Sequence, residues 1–340
     1  MIPVGDGAIS LRRAAPGQST RPGDTRPTGL TSKIIGYRPW MELNQDAQAD
    51  TSQVEDVRGA GGGGGFPLPI GGGRGGILGL IVGLIVVLAG GGYGATQIFG
   101  GSGGGGTPAS DCSTANPNRL ADVACRNELY ITSIQAFWQT TLPRAYGTAY
   151  QPAHTVFFSQ QVNTGCGAAD SGAGPFYCPP DKKVYIDLTF YDELVNRFGA
   201  KGEFAQPYVL AHEYGHHVQD LLGTMAQVDR LEQRDPGSRN RYSVALELQA
   251  DCLAGVWSRH ATETTDASGR PIFTSVTAQD IQDAVTAAGT VGDDKIAQQA
   301  GRTVNPDAFT HGSAAQRQQW VTTGYRSGDP RSCDTFAGLI

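Results

Sequence analysis

The chain has 340 residues and a formal net charge of −6, and its 39% hydrophobic content is enough to bury a core, which excludes disorder throughout. No dense basic run or aromatic-plus-arginine motif is present, which argues against a nucleic-acid partner. Glycine is in excess at 48 residues, but 23 of these fall between Gly59 and Gly106 with no Gly-X-Y period or longer repeat, so collagen and solenoid architectures are excluded.

In chain order, residues 1–76 are rich in Pro, Gly, Thr, Gln and Asp and lack apolar periodicity, which predicts a disordered cytoplasmic tail. Met41, directly after Pro39-Trp40, is an alternative natural start. From Ile77 to Phe99 no charge occurs, a stretch of about 34 Å as a helix against a hydrocarbon core of about 30 Å. Arg58 and Arg74 precede it, and no Lys or Arg lies between Gly90 and Asn118. The positive-inside rule then predicts a transmembrane signal anchor at 77–99. The protein would be single-pass in the cell membrane, with its N-terminus cytoplasmic and all that follows outside. A cleaved signal peptide and a buried core helix are the competing readings. Residues 100–111 read as a glycine-rich linker and 112–340 as the ordered domain.

Within that domain, Arg119–Leu142 has helical periodicity, and Thr155–Phe158 and Val184–Phe190 read as strands. Helical patterns follow at Asp192–Phe198, Phe204–Leu222 closed by Gly223, Tyr242–His260 and Thr277–Ala288. Ser313 with Gln316 forms a capping box that opens a last helix through Trp320. Early strands and later helices predict an α+β domain.

Three of the six histidines stand in His212-Glu213-Tyr214-Gly215-His216-His217. His212 and His216 are i, i+4 on a helix, so both imidazoles leave one face at a spacing that suits a single Zn2+, with Glu213 beside them as a base. A surface histidine pair and a zincin fold that no longer binds metal are the blander readings. His217 is one position off that face and reads as structural. A hydrolytic zinc keeps three protein ligands and an open position. The extended metzincin motif is excluded, because Gln219 and Leu222 stand where it needs Gly and His. A better third ligand is Glu247, with Asp251 again i, i+4 from it beside the apolar positions Leu246, Ala250, Leu253 and Trp257. Asp251 there would accept a hydrogen bond from a ligand imidazole and fix its tautomer. An exposed acidic helix face is the alternative.

These motifs, with the strand KVYIDLTFYDEL after GPFYCP and the tail DAFTHGSAAQR to SGDPRSCDTF, resemble the bacterial putative neutral zinc metallopeptidase family, whose members carry an N-terminal membrane span. Gln53-Val54-Glu55-Asp56-Val57-Arg58-Gly59 is similar to that family's NVEDRRG-like signature. The resemblance covers about residues 50–340 and departs in the long glycine tract and in residues 1–40. The HExxH and ExxxD pair is also similar to the thermolysin-like gluzincins. The resemblance implies a zincin-like fold, His212, His216 and Glu247 as zinc ligands, and Glu213 as general base on zinc-bound water. Peptide or protein substrates would be hydrolysed outside the cytoplasm. The oxyanion needs a donor, for which His311 is the first candidate, ahead of Tyr214, Tyr185 and His260; a loop histidine that only supports the last helix is the alternative. The alternating strand Val184–Phe190 could offer an edge to an extended peptide or lie buried in a sheet.

Six cysteines all follow the glycine tract, and outside the cytoplasm they should pair. Cys112 with Cys125 and Cys166 with Cys178 bracket local loops, and Cys252 with Cys333 remain. A non-catalytic zinc-stabilised binding module is the competing function. Retention of Glu213, which zinc coordination does not need, favours the enzyme.

Overall fold

The computed structural model describes residues 41–59 and 110–339. The predicted anchor at 77–99 lies outside these, as do residues 1–40 and 60–76 and most of the linker. Among the described residues no helix is long and apolar enough to cross a membrane.

The expectation of disorder up to residue 76 fails for 41–59, which are folded onto the domain. Strand β1 (Glu42–Leu43) pairs antiparallel with β8 (Phe273–Ser275), and β2 (Val54–Asp56) pairs parallel with β3 (His154–Phe158). Between them runs helix α1 (Val123–Tyr146), opened by the Asp122 side chain accepting from the Ala124 N–H and closed by Gly147 at φ 69°. It starts four residues later than its periodicity suggests, because Arg119–Ala121 form a 3-10 turn first.

The main sheet has the order β2-β3-β7-β6, with β7 (Lys183–Asp187) parallel to β3 and β6 (Phe176–Cys178) antiparallel at the far edge. An outer hairpin joins β4 (Gln161–Thr164) to β5 (Gly167–Asp170). Strand β7 therefore has neighbours on both sides and no free edge, and the outer strands of the sheet are β2 and β6. The strand also stops at Asp187, whose carboxylate accepts from the Thr189 N–H and Oγ1, and helix α2 (Phe190–Asn196) begins there instead.

Helix α3 (Ala205–Leu221) lies against β6 and β7 on one side and against α5 (Arg239–His260) on the other, with α4 (Thr224–Arg234) connecting the two. Helices α6 (Ala278–Thr290), α7 (Asp293–Gln299) and α8 (Ala314–Ser327) complete the far side, and α8 packs along α5. The mixed α+β composition accords with a zincin-like domain. The cysteines pair as Cys112–Cys125, Cys166–Cys178 and Cys252–Cys333, and among the described residues none is free.

Two close approaches between α5 and α8 depend on absent side chains. A Cβ at Gly324 of α8 would collide with the Cys252 carbonyl of α5, and one at Gly255 with the Val321 carbonyl, so the two backbones touch. Gly324→Ala should lower unfolding stability by about 1–3 kcal/mol or more through overpacking, measured as a shift of the denaturation midpoint. A midpoint equal to that of the parent would show that the crossing has slack.

Candidate metal centre

The third close approach forms the site. A Cβ at Gly215 of α3 would sit only 3.0 Å from Cα and O of Ala250 on α5, so α3 and α5 meet within the HEYGHH segment itself. That contact brings the face carrying His212 and His216 against the face carrying Glu247 and Asp251. All four are buried, Asp251 wholly so.

His212 Nε2 is 3.2 Å from Glu247 Oε2, and His216 Nε2 is 3.4 Å from Glu247 Oε1. A tetrahedral zinc with bonds of about 2.0–2.2 Å separates neighbouring ligand atoms by roughly 3.4 Å, so these spacings fit one ion. His212 Nε2, Glu247 Oε2 and Glu213 Oε1 are buried without a hydrogen-bond partner, as expected where an ion and a water are to be received. Two imidazoles and one carboxylate are a zinc donor set with a fourth position left over.

A sequence profile of the family described as putative neutral zinc metallopeptidase matches residues 41–336. The chain belongs to that family. Among curated relatives of this zinc metallopeptidase family member is the uncharacterized protein Rv2575 of Mycobacterium tuberculosis, 48% identical over 231 residues. That match covers 67% of this chain and 75% of the relative. The uncharacterized protein YpfJ of Escherichia coli K12 is 40% identical over 308 residues, covering 88% of this chain and all of YpfJ. No solved structure matches.

In this zinc metallopeptidase family member the donor atoms are aimed by a second layer of contacts. Asp251 Oδ1 lies 2.8 Å from His212 Nδ1, which places the proton there and leaves the Nε2 lone pair for metal. Asp251 also receives the Tyr208 hydroxyl at 2.5 Å and a two-pronged contact from Arg317, Nε at 2.8 Å and Nη2 at 2.9 Å. Burial alone would raise the Asp251 pKa, but the Arg317 charge and hydrogen bonds, with His212, hold it at about 2. His216 is aimed by a neutral group. Its Nδ1 lies 2.9 Å from Gln219 Oε1, while Gln219 Nε2 donates to the Leu246 carbonyl, which fixes which end of the amide accepts.

Tyr208 stands one turn before His212, so the helical period already placed it on the metal face. Arg317 gave no comparable signal, since it comes from α8, 66 residues from Asp251. His217 faces away from the centre: its Nε2 meets the Gln151 carbonyl at 2.6 Å and its Nδ1 the Tyr177 hydroxyl at 3.1 Å.

Glu213 is buried beside the donor triad, and desolvation raises its pKa even though His212 and His216 and the Tyr177 main-chain N–H oppose this. That environment suits a group that takes and returns a proton.

Of the oxyanion candidates, His311 stands next to a contact with the Glu247 helix: a Cβ at its neighbour Gly312 would be 3.3 Å from Leu248 and Val244 of α5. His311 Nδ1 lies 3.0 Å from Asp293 Oδ1, and Asp293 Oδ2 accepts the main-chain N–H groups of Thr310, His311 and Gly312 at 2.7–3.0 Å. Asp293 was not singled out by sequence, although it stands three residues after the end of α6 and opens α7. The other candidates are engaged elsewhere. Tyr214 bonds Thr155, Tyr185 donates to Asp181, and His260 contacts Glu263 and the Gly328 carbonyl at the end of α5, about 20 Å along the helix from Glu247.

Burial lowers the His311 pKa, but the Asp293 hydrogen bond and charge, with Glu247, raise it overall. A raised histidine pKa keeps the cation to higher pH, so activity that needs a protonated His311 is lost as pH rises through that value. Asp293→Asn removes the charge, and the alkaline limb of kcat/KM should move to lower pH. A limb that stays in place would remove His311 as the donor.

Proposed function

We propose that this chain is a zinc-dependent endopeptidase that hydrolyses peptide or protein substrates outside the cytoplasm, with Glu213 as general base. The observation that carries the reading is Glu213 itself, buried next to His212, His216 and Glu247 with Oε1 unpartnered. A zinc-stabilised binding module would have no use for it.

Zinc, when bound by His212, His216 and Glu247, supplies a Lewis acid that acidifies water and polarises a substrate carbonyl. Glu213 accepts the proton of the attacking water and later delivers it to the leaving amine. His311, held by Asp293, donates to the oxygen that gains negative charge. The outer strand β6, whose Tyr177 N–H reaches Glu213, would place an extended peptide that pairs with it beside these residues. Three disulfides support an oxidising compartment.

The test uses the purified full chain, with zinc per chain measured against cleavage of a peptide library. One zinc and chelator-sensitive cleavage that returns on adding zinc are expected. One zinc per chain with no cleavage of any peptide would overturn the peptidase reading.

A further inference from the structure

We infer that residues 41–59 are an obligatory strap of the folded domain, so that these residues and residues 110–339 lie on the same side of any membrane. This is independent of zinc and of peptidase activity. It replaces the arrangement in which the N-terminal part is cytoplasmic and the domain outside.

The strap is built in by main-chain and core contacts. Val54, Glu55 and Asp56 pair in parallel with Thr155, Val156 and Phe157, and the Val57 N–H continues the ladder to the Phe157 carbonyl at 2.9 Å. Lys183 on β7 reaches across β3 to both Glu55 oxygens at 2.9 Å. Met41, Leu43 and Ala47 belong to the main core, and Ala47 has no exposed surface.

Buried charges of the domain depend on it as well. Arg119 is 1% exposed, and its guanidinium is received by the carbonyls of Ala47 at 2.5 Å, Gln45 at 2.8 Å, Asn44 at 3.3 Å and Cys112 at 3.2 Å. Three of those four acceptors come from the strap. Asp280, wholly buried, accepts the Met41 N–H at 2.9 Å, and Asp266 accepts the Gln48 N–H at 2.8 Å. Without the strap, a buried cation and two buried carboxylates lose partners, which carries a heavy desolvation cost.

A bilayer crossed once between residues 59 and 110 would place β2 and β3 in different compartments, and the sheet could not form.

The test introduces Thr51→Cys in the strap and Glu193→Cys on α2, one at a time, in the full chain; both positions are exposed and the native cysteines are paired. Intact cells are treated with a membrane-impermeant maleimide, and each signal is normalised to labelling of the denatured chain. Equal labelling of the two positions, whether both react or both are protected until lysis, is the expected result. Reaction at one position with protection at the other until lysis would overturn the inference.

Discussion

Glu213→Gln should bind zinc as the parent does while losing about a hundred- to ten-thousandfold in peptide turnover, the range for removal of a general base. The amide keeps the shape and can still fill the buried position beside His212 and His216, but it cannot accept the proton of the attacking water. Zinc content and kcat on one peptide substrate decide the matter together. Full occupancy with turnover near that of the parent would take the base role away from Glu213. Loss of zinc would instead show that this carboxylate helps to hold the ion.

Arg317→Met should be the most damaging change outside the donor set. The guanidinium and the Asp251 carboxylate are both fully buried, so removing the cation strands a charge and is expected to cost about 3–5 kcal/mol. Asp251 also sets the tautomer of His212, and zinc affinity should fall about 10–100-fold. Adding Asp251→Asn to Arg317→Met removes the stranded charge and should recover part of the stability but not the affinity. Denaturation midpoints and a competitive zinc chelator titration measure the two effects separately. If the single and double variants were equally unstable, ion-pair desolvation would not be the cause.

What was legible in the sequence is what repeats with a local period. His212 and His216, and Glu247 and Asp251, are each one helical turn apart, so their spacing alone assigns each pair to a single helix face. The crossing that unites them was not legible, because it rests on Gly215 facing Ala250, a contact between residues 35 positions apart. Arg317 and Asp293 escaped for the same reason: each acts on a site residue supplied by a different element. The strap escaped for another. Residues 41–59 are polar and aperiodic, and their order comes from main-chain groups bonded to Asp280, Asp266, Thr132 and Arg119, at separations of 72 to 239 residues. Composition reports only what a segment can bury by itself, and this one is held by partners that composition does not show. Alternation in Val184–Phe190 marked a strand correctly but could not say whether β7 or β6 would be outermost.

The Cys252–Cys333 bond joins the residue after Asp251 to the C-terminal tail, and the Cys333 carbonyl receives Gln249, whose own amide oxygen receives Gln219, the partner of His216. Both metal-binding helices are thus held in place by links that do not pass through the ion. In small zinc domains, folding and metal uptake are one event. Here the links that join α3, α5 and the tail are a disulfide and hydrogen bonds among the chain's own residues, so they do not depend on a metal.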